Sequence, residues 1–387
     1  MYVSGRGTSG FGTILPAISE WKRNIQIDEL NIECAATSPS SAKALLKKSK
    51  ELSELTKINL DLSIYPKGNN INIESYKDAL KKIRSPACAI IVVPDHLHYS
   101  VTKDCLEAGL HCLVVKPLTP TYAESKDLSQ IAKKKGLYGV VEFHKRWDKS
   151  NLILRDKILS GEIGDPLYSI VEYSQRKSVP TLFFQKWAAE TNILQYLGIH
   201  YIDLMRFISN ATPTRVMASG QKVFLAKKKI DTYDSIQCVI EWELPNKKVF
   251  NQVIVTNWID AETSSAMSNQ RIKVIGTDGR YEADQKNRGI TFNTDQVGIE
   301  HINPDFCIPI KDSDGVTKWQ GYGIDSVATF LNDVLDIETG QSSIDKLSLT
   351  RPTFKESLIS SAVIESANQS LESNGDWKII KLTQEDL

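Results

Sequence analysis

Gly109-Leu110-His111-Cys112-Leu113-Val114-Val115-Lys116-Pro117 is the stretch on which the fold of this chain turns. It is a short, nearly all-apolar run that a glycine opens and a Lys-Pro pair closes. Such a run reads as a strand covered on both faces, the habit of parallel sheets. The lysine then stands at the carboxyl end of the strand, where open α/β sheets bind their ligands. Upstream, Ala87-Cys88-Ala89-Ile90-Ile91-Val92-Val93 is a second run of the same kind. Between the two lies a helical segment, 98–108, stopped by Gly109. The alternation extends outward in both directions. Before it come a helix over 12–22 with Ile14, Leu15, Ile18 and Trp21 on one face, a strand over 30–36, a lysine-rich helix over 40–55 and a short helix over 76–83. After it come a helix over 122–135 and a strand over 137–143. Strands separated by helices of this length imply right-handed crossovers and a parallel sheet.

Beyond residue 150 the texture changes. A short helix (150–160), a strand (167–176) and an amphipathic helix (192–208) are followed by segments 214–225, 234–244, 249–258, 270–275 and 279–283, which alternate apolar and polar residues. That alternation predicts an open sheet with one covered face. Helices return at 324–337 and 353–371, and 257–269 reads as a polar loop. The expected fold class is α/β: an N-terminal Rossmann domain (1–145), with a doubly wound parallel sheet, and a C-terminal α/β domain (146–387), with a large, open, mainly antiparallel sheet.

The bulk numbers agree with a two-domain protein. The chain has 387 residues, with 47 basic and 47 acidic side chains. A length of this order supports two sizeable cores, and balanced charge lacks the basic footprint of a nucleic-acid binder. No apolar stretch reaches the roughly 20 residues that span a bilayer, and Met1-Tyr2-Val3-Ser4 is too short and polar for a signal peptide. Six cysteines lie far apart with no CxxC pair, which argues against structural zinc and for a reduced, cytoplasmic setting. His96 and His98 lack a third ligand at convincing spacing, so no metal is expected.

Gly5-Arg6-Gly7-Thr8-Ser9-Gly10 fits G-x-G-x-x-G ahead of a helix. In such loops the first glycine makes the turn, the second admits a pyrophosphate and the third lets the helix pack. The anion rests on the free N–H groups of the helix start, with Thr8 and Ser9 beside it. At the tip of the second strand, Ala36-Thr37-Ser38-Pro39-Ser40-Ser41-Ala42-Lys43 carries no carboxylate to hold a ribose 2′-hydroxyl. Thr37, Ser38, Ser40 and Lys43 offer donors to a 2′-phosphate instead, which favours NADP over NAD. Ordinary helix capping by Ser38 or Ser40 is the competing account.

Several segments in order resemble the Gfo/Idh/MocA family of NAD(P)-dependent oxidoreductases. The glycine loop is one. Val93-Pro94-Asp95-His96-Leu97-His98 is similar to the family's segment after the fourth strand, and Glu107 to Leu118 is similar to its E-A-G-K-H-V-x-x-E-K-P-L stretch. Glu142-Phe143-His144-Lys145-Arg146-Trp147, Gly198-Ile199-His200-Tyr201-Ile202-Asp203 and Gly276-Thr277-Asp278-Gly279 look like later family motifs. The resemblance implies that Lys116 meets both the nicotinamide ribose and the substrate hydroxyl, and that His200 is the catalytic histidine, with Asp203 one turn on. It implies that Pro94, Asp95 and His98 line the cofactor, that His144 approaches nicotinamide or substrate, and that the sheets pair into a homodimer or homotetramer. Two positions depart from the family: Val115 stands where a glutamate usually precedes the lysine, and Tyr196 where an aspartate often precedes the histidine by four.

Oxidising an alcohol removes the O–H proton as the C–H hydride leaves, and a base with a pKa near working pH suits that task. His200 is assigned as the main acid/base and Lys116 as electrostatic clamp and possible base. Arg146, Trp187, Asn192 and Tyr196 join His144 as expected substrate contacts, since a tryptophan face suits a sugar ring and polar groups suit its hydroxyls. The expected activity is hydride transfer between nicotinamide C4 and a secondary alcohol or ketone of a sugar, polyol or sugar derivative. Two other readings stand beside it. One is a catalytically weak dinucleotide-binding regulator or assembly subunit. The other is an enzyme that uses its cofactor transiently, for epimerisation or elimination.

Overall fold

The computed structural model describes residues 10–25 and 29–386. The first half alternates as the apolar runs require: α1 (Ile14–Ile25), β1 (Ile32–Ala35), α2 (Pro39–Thr56), β2 (Leu62–Tyr65), α3 (Ser75–Leu80), β3 (Cys88–Ile91), α4 (His98–Glu107), β4 (His111–Val115), α5 (Tyr122–Lys135) and β5 (Gly139–Glu142). β1 pairs with β2, and β3, β4 and β5 form a three-stranded sheet, all parallel. The tyrosine at 65 and the short polar alternation before it belong to β2, a strand not expected from the sequence.

Helix ends follow local chemistry. Thr121 caps α5 by accepting from Glu124 N, and Gly136 closes it in the left-handed conformation at φ 65°, as a C-terminal glycine does. Ser38 caps α2 by accepting from Ser41 N, with Pro39 in the first turn.

The second half opens with α6 (Lys149–Leu159) and β6 (Pro166–Arg176). A π-helical turn at Leu194–Gly198 leads into α7 (Ile199–Ser209), so the helix expected over 192–208 starts with a widened turn. There follow β7 (Thr212–Gln221), α8 (Phe224–Lys227), β8 (Ser235–Glu243), β9 (Val249–Asp260), β10 (Ser268–Gly276) and β11 (Arg280–Asp284). Two hairpins come next, β12 (Thr291–Thr294) with β13 (Gly298–His301), and β14 (Ile308–Lys311) with β15 (Thr317–Gln320). The chain ends with α9 (Tyr322–Glu338), α10 (Ile344–Ser348), α11 (Phe354–Glu372) and β16 (Lys378–Ile379). One seven-stranded sheet runs β11-β10-β6-β9-β8-β7-β16, and only the β6–β9 pair is parallel.

That sheet covers one face. Ile236, Cys238, Ile240 and Trp242 of β8 alternate inward, with Ile254 and Trp258 of β9 beside them. Together with α7 and α11 they form the larger core. The second core belongs to the nucleotide half but draws on later chain: Trp319, Ile324, Val327 and Phe330 pack with Leu15, Trp21, Leu113 and Tyr138. The tie is polar as well, since Tyr138 donates to Asp333 and Trp21 to Asn332.

Gly276 is where the sheet meets the 163–165 turn. A Cβ there would overlap the carbonyl of Ile163, backbone that cannot swing aside. Gly276→Ala is therefore expected to destabilise the protein by about 1–3 kcal/mol through overpacking, read as a lower denaturation midpoint in urea. Gly279, at the other end of the same turn, has only ordinary contacts, and Gly279→Ala should be nearly silent.

Candidate functional site

Lys116 leaves β4 at its carboxyl edge. Its Nζ donates to the backbone carbonyl of Tyr196 and lies 3.5 Å from the centre of the Tyr196 ring. That carbonyl belongs to the π-helical turn, an irregularity often found where helices carry function. The lysine of the first half and the helix bearing His200 in the second half thus meet directly. Burial pulls the Lys116 ammonium down to about 8, against Asp95 and Glu142, which favour its charge.

His200, on the first turn of α7, is 2 % exposed, and its Nδ1 has no hydrogen-bond partner among the described residues. Burial, with His144, Lys116 and Lys145 nearby, holds it well below the ordinary histidine range. At neutral pH it is an imidazole, able to take a proton rather than give one. The rings of His144 and His200 lie 4.5 Å apart centre to centre. His144 also stacks against Tyr322 at 5.7 Å and tilts against Phe306 at 5.3 Å. Its Nδ1 faces Glu142 Oε2 at 2.9 Å.

Beside Lys116 stands an aromatic wall. Tyr196 packs edge-on to Phe184 at 4.9 Å and Trp187 at 6.1 Å, and is tilted on Trp258 at 5.7 Å. Aromatic faces of this kind suit the C–H side of a ring whose hydroxyls point elsewhere.

The structure brings Lys116, His144, Tyr196 and His200 together, with Trp187 behind Tyr196. Four other expected contacts it corrects. Arg146 forms a two-pronged ion pair with Asp203, at 2.8 and 2.6 Å, with Glu356 close by. It is a buried cross-tie from the end of β5 to α7, 5 % exposed, with Nε and Nη2 spent on Asp203. The Asn192 amide accepts from Gln195 N and donates to Asn368, so it caps the π turn. His98 is fully buried, its Nδ1 2.6 Å from Pro117 O and its Nε2 2.9 Å from Val93 O. It clamps the ends of β3 and β4 rather than a cofactor. Asp95 accepts from Thr191 and Gln195 at 2.9 and 3.0 Å, joining the two halves below Lys116. Pro94 remains partly exposed at the end of β3.

On the cofactor side, Gly5, Gly7, Thr8 and Ser9 lie outside the described residues. Gly10 has φ 70° and Gly12 φ 68°, just ahead of α1, a conformation in which glycine is strongly favoured. Thr37, Ser40 and Lys43 are exposed at the tip of β1 and the start of α2. Ser38 is occupied as the α2 cap, and its hydroxyl also lies 3.0 Å from that of Ser40.

Two groups with no expected role enter the picture. Glu142 pairs in register with Val115, which puts it on the same edge as Lys116; Oε1 accepts from Ser326 on α9 at 2.8 Å. The i, i+2 spacing of Glu142 and His144 at a strand end was the available sequence signal. Lys145 is 1 % exposed, donates to Gln270 and Gln285, and lies over the rings of Tyr173 and Tyr201. Burial pulls it down to about 7.

Comparison with known proteins follows the same lines. Residues 35–143 match the oxidoreductase family described as an NAD-binding Rossmann fold, and residues 152–282 match the GFO/IDH/MocA C-terminal domain. The chain is 34% identical over 121 residues to the scyllo-inositol 2-dehydrogenase (NADP(+)) IolW of Bacillus subtilis, a match covering 30% of this chain and 34% of that protein. It is 25% identical over 240 residues to the scyllo-inositol 2-dehydrogenase (NAD(+)) of the same organism, covering 61% and 67%. The chain thus spans about a third of the first of these relatives and two thirds of the second. Among solved structures, the Lactobacillus casei scyllo-inositol dehydrogenase with bound NAD(H) and scyllo-inositol superposes with TM-score 0.65 at 16% identity, covering 95% of both chains. An inositol dehydrogenase homolog from Azotobacter vinelandii, complexed with NADH and myo-inositol, gives 0.65 at 17%, covering 90% of this chain and 97% of that one.

Proposed function

The chain belongs to the Gfo/Idh/MocA oxidoreductase family, and on that premise we propose that it is an NAD(P)-dependent dehydrogenase acting on a secondary alcohol of a cyclic polyol or sugar. The observation that carries this reading is the meeting of Lys116 with the helix of His200, beside an aromatic wall and at the carboxyl edge of a parallel sheet. The described residues fit a dinucleotide: left-handed glycines precede α1, exposed hydroxyls and Lys43 stand at the tip of β1, and the unpartnered Nδ1 of His200 awaits a polar group. A bound nicotinamide dinucleotide supplies the hydride acceptor or donor.

The chain's own residues do the rest. The Lys116 ammonium, charged below about pH 8, clamps the hydroxyl oxygen and favours its developing negative charge. His200, neutral at working pH, accepts the O–H proton. Trp187 and Tyr196 hold the ring by its apolar side, backed by the buried Phe184 and Trp258. Relatives named as inositol dehydrogenases favour a cyclic polyol as the first substrate to try; a relative named D-glucoside 3-dehydrogenase keeps sugars in view.

NADP is the cofactor we favour, because Thr37, Ser40 and Lys43 are exposed with no carboxylate among them. Lys43→Ala is expected to lower kcat/KM for NADP by about tenfold or more, the worth of a charged hydrogen bond, and to leave NAD unaffected. Equal effects on both cofactors would remove the 2′-phosphate from this account. A reduced, cytoplasmic setting agrees with six free cysteines. A second copy of the chain is the expected partner for the outer face of the seven-stranded sheet, where Tyr168 and Ile170 are exposed; light scattering at the monomer mass would contradict it.

The test of the function is a panel of inositols, other polyols and sugars, each with NADP and NAD, followed at the reduced-nicotinamide absorbance band. Turnover on a cyclic polyol is expected. A panel with no turnover, alongside tight NADPH binding, would point instead to a dinucleotide-binding regulator.

A further inference from the structure

A buried carboxylate–imidazole pair stands against the catalytic histidine, and the reading above leaves it without a task. Glu142 closes β5 and His144 follows it by two residues. Glu142 Oε2 lies 2.9 Å from His144 Nδ1, while Oε1 accepts from Ser326 at 2.8 Å. Both carboxylate oxygens are therefore engaged, and the Glu142 and His144 side chains are only 11 % and 17 % exposed. With Nδ1–H donated to the carboxylate, His144 keeps the lone pair of Nε2 for another partner. The neighbouring imidazole is His200, 4.5 Å away centre to centre and short of a hydrogen-bond partner at Nδ1.

The surroundings make this pair matter. His200 sits amid cations, with Lys116 and Lys145 close enough to oppose its protonation. The other groups facing the two rings are Tyr322 and Phe306, with Arg288 beyond Tyr322 at 5.7 Å from its ring. Asp95 is held by Thr191 and Gln195 and Asp203, one turn along α7, by Arg146, whereas Glu142 touches one of the two rings directly. Its register with Val115 places it beside Lys116 too. A proton arriving on His200 would raise the positive charge of a site already crowded with it, unless that charge is shared with a ring that a carboxylate supports.

We propose that Glu142 and His144 act as a positioning relay for His200: the proton taken from the substrate hydroxyl is accommodated across the two imidazoles, and the resulting charge is neutralised by Glu142. In oxidation the O–H bond breaks towards His200, the C–H hydride leaves to the nicotinamide, and one proton remains on the histidine pair, from which it passes to solvent. In reduction the same pair starts protonated. Glu142 touches neither the substrate nor the transferred proton in this scheme; it sets the basicity of the histidine pair that takes it. The proposal rests on the dehydrogenase reading for its kinetic consequences but not for its electrostatic one.

The test uses Glu142→Gln, Glu142→Asp and Ser326→Ala in the full chain. Without the carboxylate the histidine pair is less basic. The acid limb of the oxidation profile should move to lower pH by about one unit, the size expected of a neighbouring charge, while plateau kcat falls about tenfold and KM for the polyol stays within twofold. Glu142→Asp should restore most of the limb, and Ser326→Ala, which keeps the carboxylate and removes only a donor to it, should not move the limb to lower pH. NMR of nitrogen-labelled histidine needs no substrate: His144 should show the Nδ1–H tautomer that donates to Glu142, and Glu142→Gln should lose that preference. An unchanged His144 tautomer in Glu142→Gln overturns the relay whatever the substrate proves to be. A changed tautomer with no turnover on any alcohol overturns the dehydrogenase reading and leaves the pairing standing. Loss of kcat in Glu142→Gln with an unmoved acid limb would mean that Glu142 only holds the fold, and would end the proposal.

Discussion

Lys116→Ala is expected to lower kcat for polyol oxidation by about 10²- to 10⁴-fold, the range over which a positioned proton-transfer or charge-stabilising group contributes, while NADPH binding measured by fluorescence changes only a few-fold. The argument rests on position. Lys116, at the sheet edge, touches the π turn that leads into the helix of His200, through the carbonyl and ring of Tyr196. Alanine removes the charge without disturbing the strand below it, because Val114 and Leu113 hold β4 in the core.

The pH profile separates the two roles open to this lysine. Burial pulls it from 10.5 to about 8. As a charged clamp it serves only below that value, so kcat/KM should fall as pH rises through about 8. As a base it would serve only above, and kcat/KM would rise instead. Lys116→Arg keeps the charge at all working pH and should lose the alkaline limb while retaining some activity. At this group the folded state binds the proton less tightly than the unfolded chain, so between about 8 and 10.5 the unfolded state carries more protons and the lysine adds stability as pH rises. A denaturation midpoint measured at each pH separates a loss of chemistry from a loss of fold.

Arg146→Met is expected to destabilise the protein by about 3–5 kcal/mol, the usual consequence of leaving one partner of a buried ion pair behind. Asp203 is 4 % exposed and loses both of its hydrogen bonds from Arg146 in this variant. Burial already pushes its carboxyl up despite the guanidinium; without it the group must ionise in an apolar site or take up a proton. The loss should therefore be larger at pH 8 than at pH 5, and the double variant Arg146→Met with Asp203→Leu should recover much of it. Differential scanning calorimetry of the three proteins reads both effects. An Arg146→Met protein as stable as the parent, with a raised KM for polyol, would return this arginine to the substrate site.

Arg146 also marks where sequence reasoning stops. Its neighbours in the chain, His144 and Trp147, made a substrate contact reasonable, but its direction is fixed by Asp203, 57 residues away. His98 is similar: it lies in the family's cofactor segment, and the structure uses both ring nitrogens to clamp strand ends. What was legible was whatever local rules control. Helix α5 was read at both ends because Thr121 and Gly136 cap it. The strands of the three-stranded sheet follow from unbroken apolar runs, and the place of Lys116 from the proline that ends one of them, whereas the role given to His200 rests on the family resemblance and not on its place in an apolar helix. β2 lacks such a run: Leu62-Ser63-Ile64-Tyr65 alternates over only four residues, and of these Tyr65 alone is buried. The hairpins over 291–320 were missed for the same reason, and the π turn because nothing in Leu194–Gly198 distinguishes it from an ordinary helical turn. Glu142 was overlooked as a site residue because its partners come from sheet register and from α9, 184 residues on.

The most direct test follows the hydride itself. An inositol deuterated on its ring carbons, incubated with the protein and oxidised NADP in a single turnover, should yield a ketone and a reduced nicotinamide carrying deuterium at C4, with the transfer abolished in Lys116→Ala. Deuterium that stays in the polyol, or leaves to solvent without labelling the cofactor, would contradict the account.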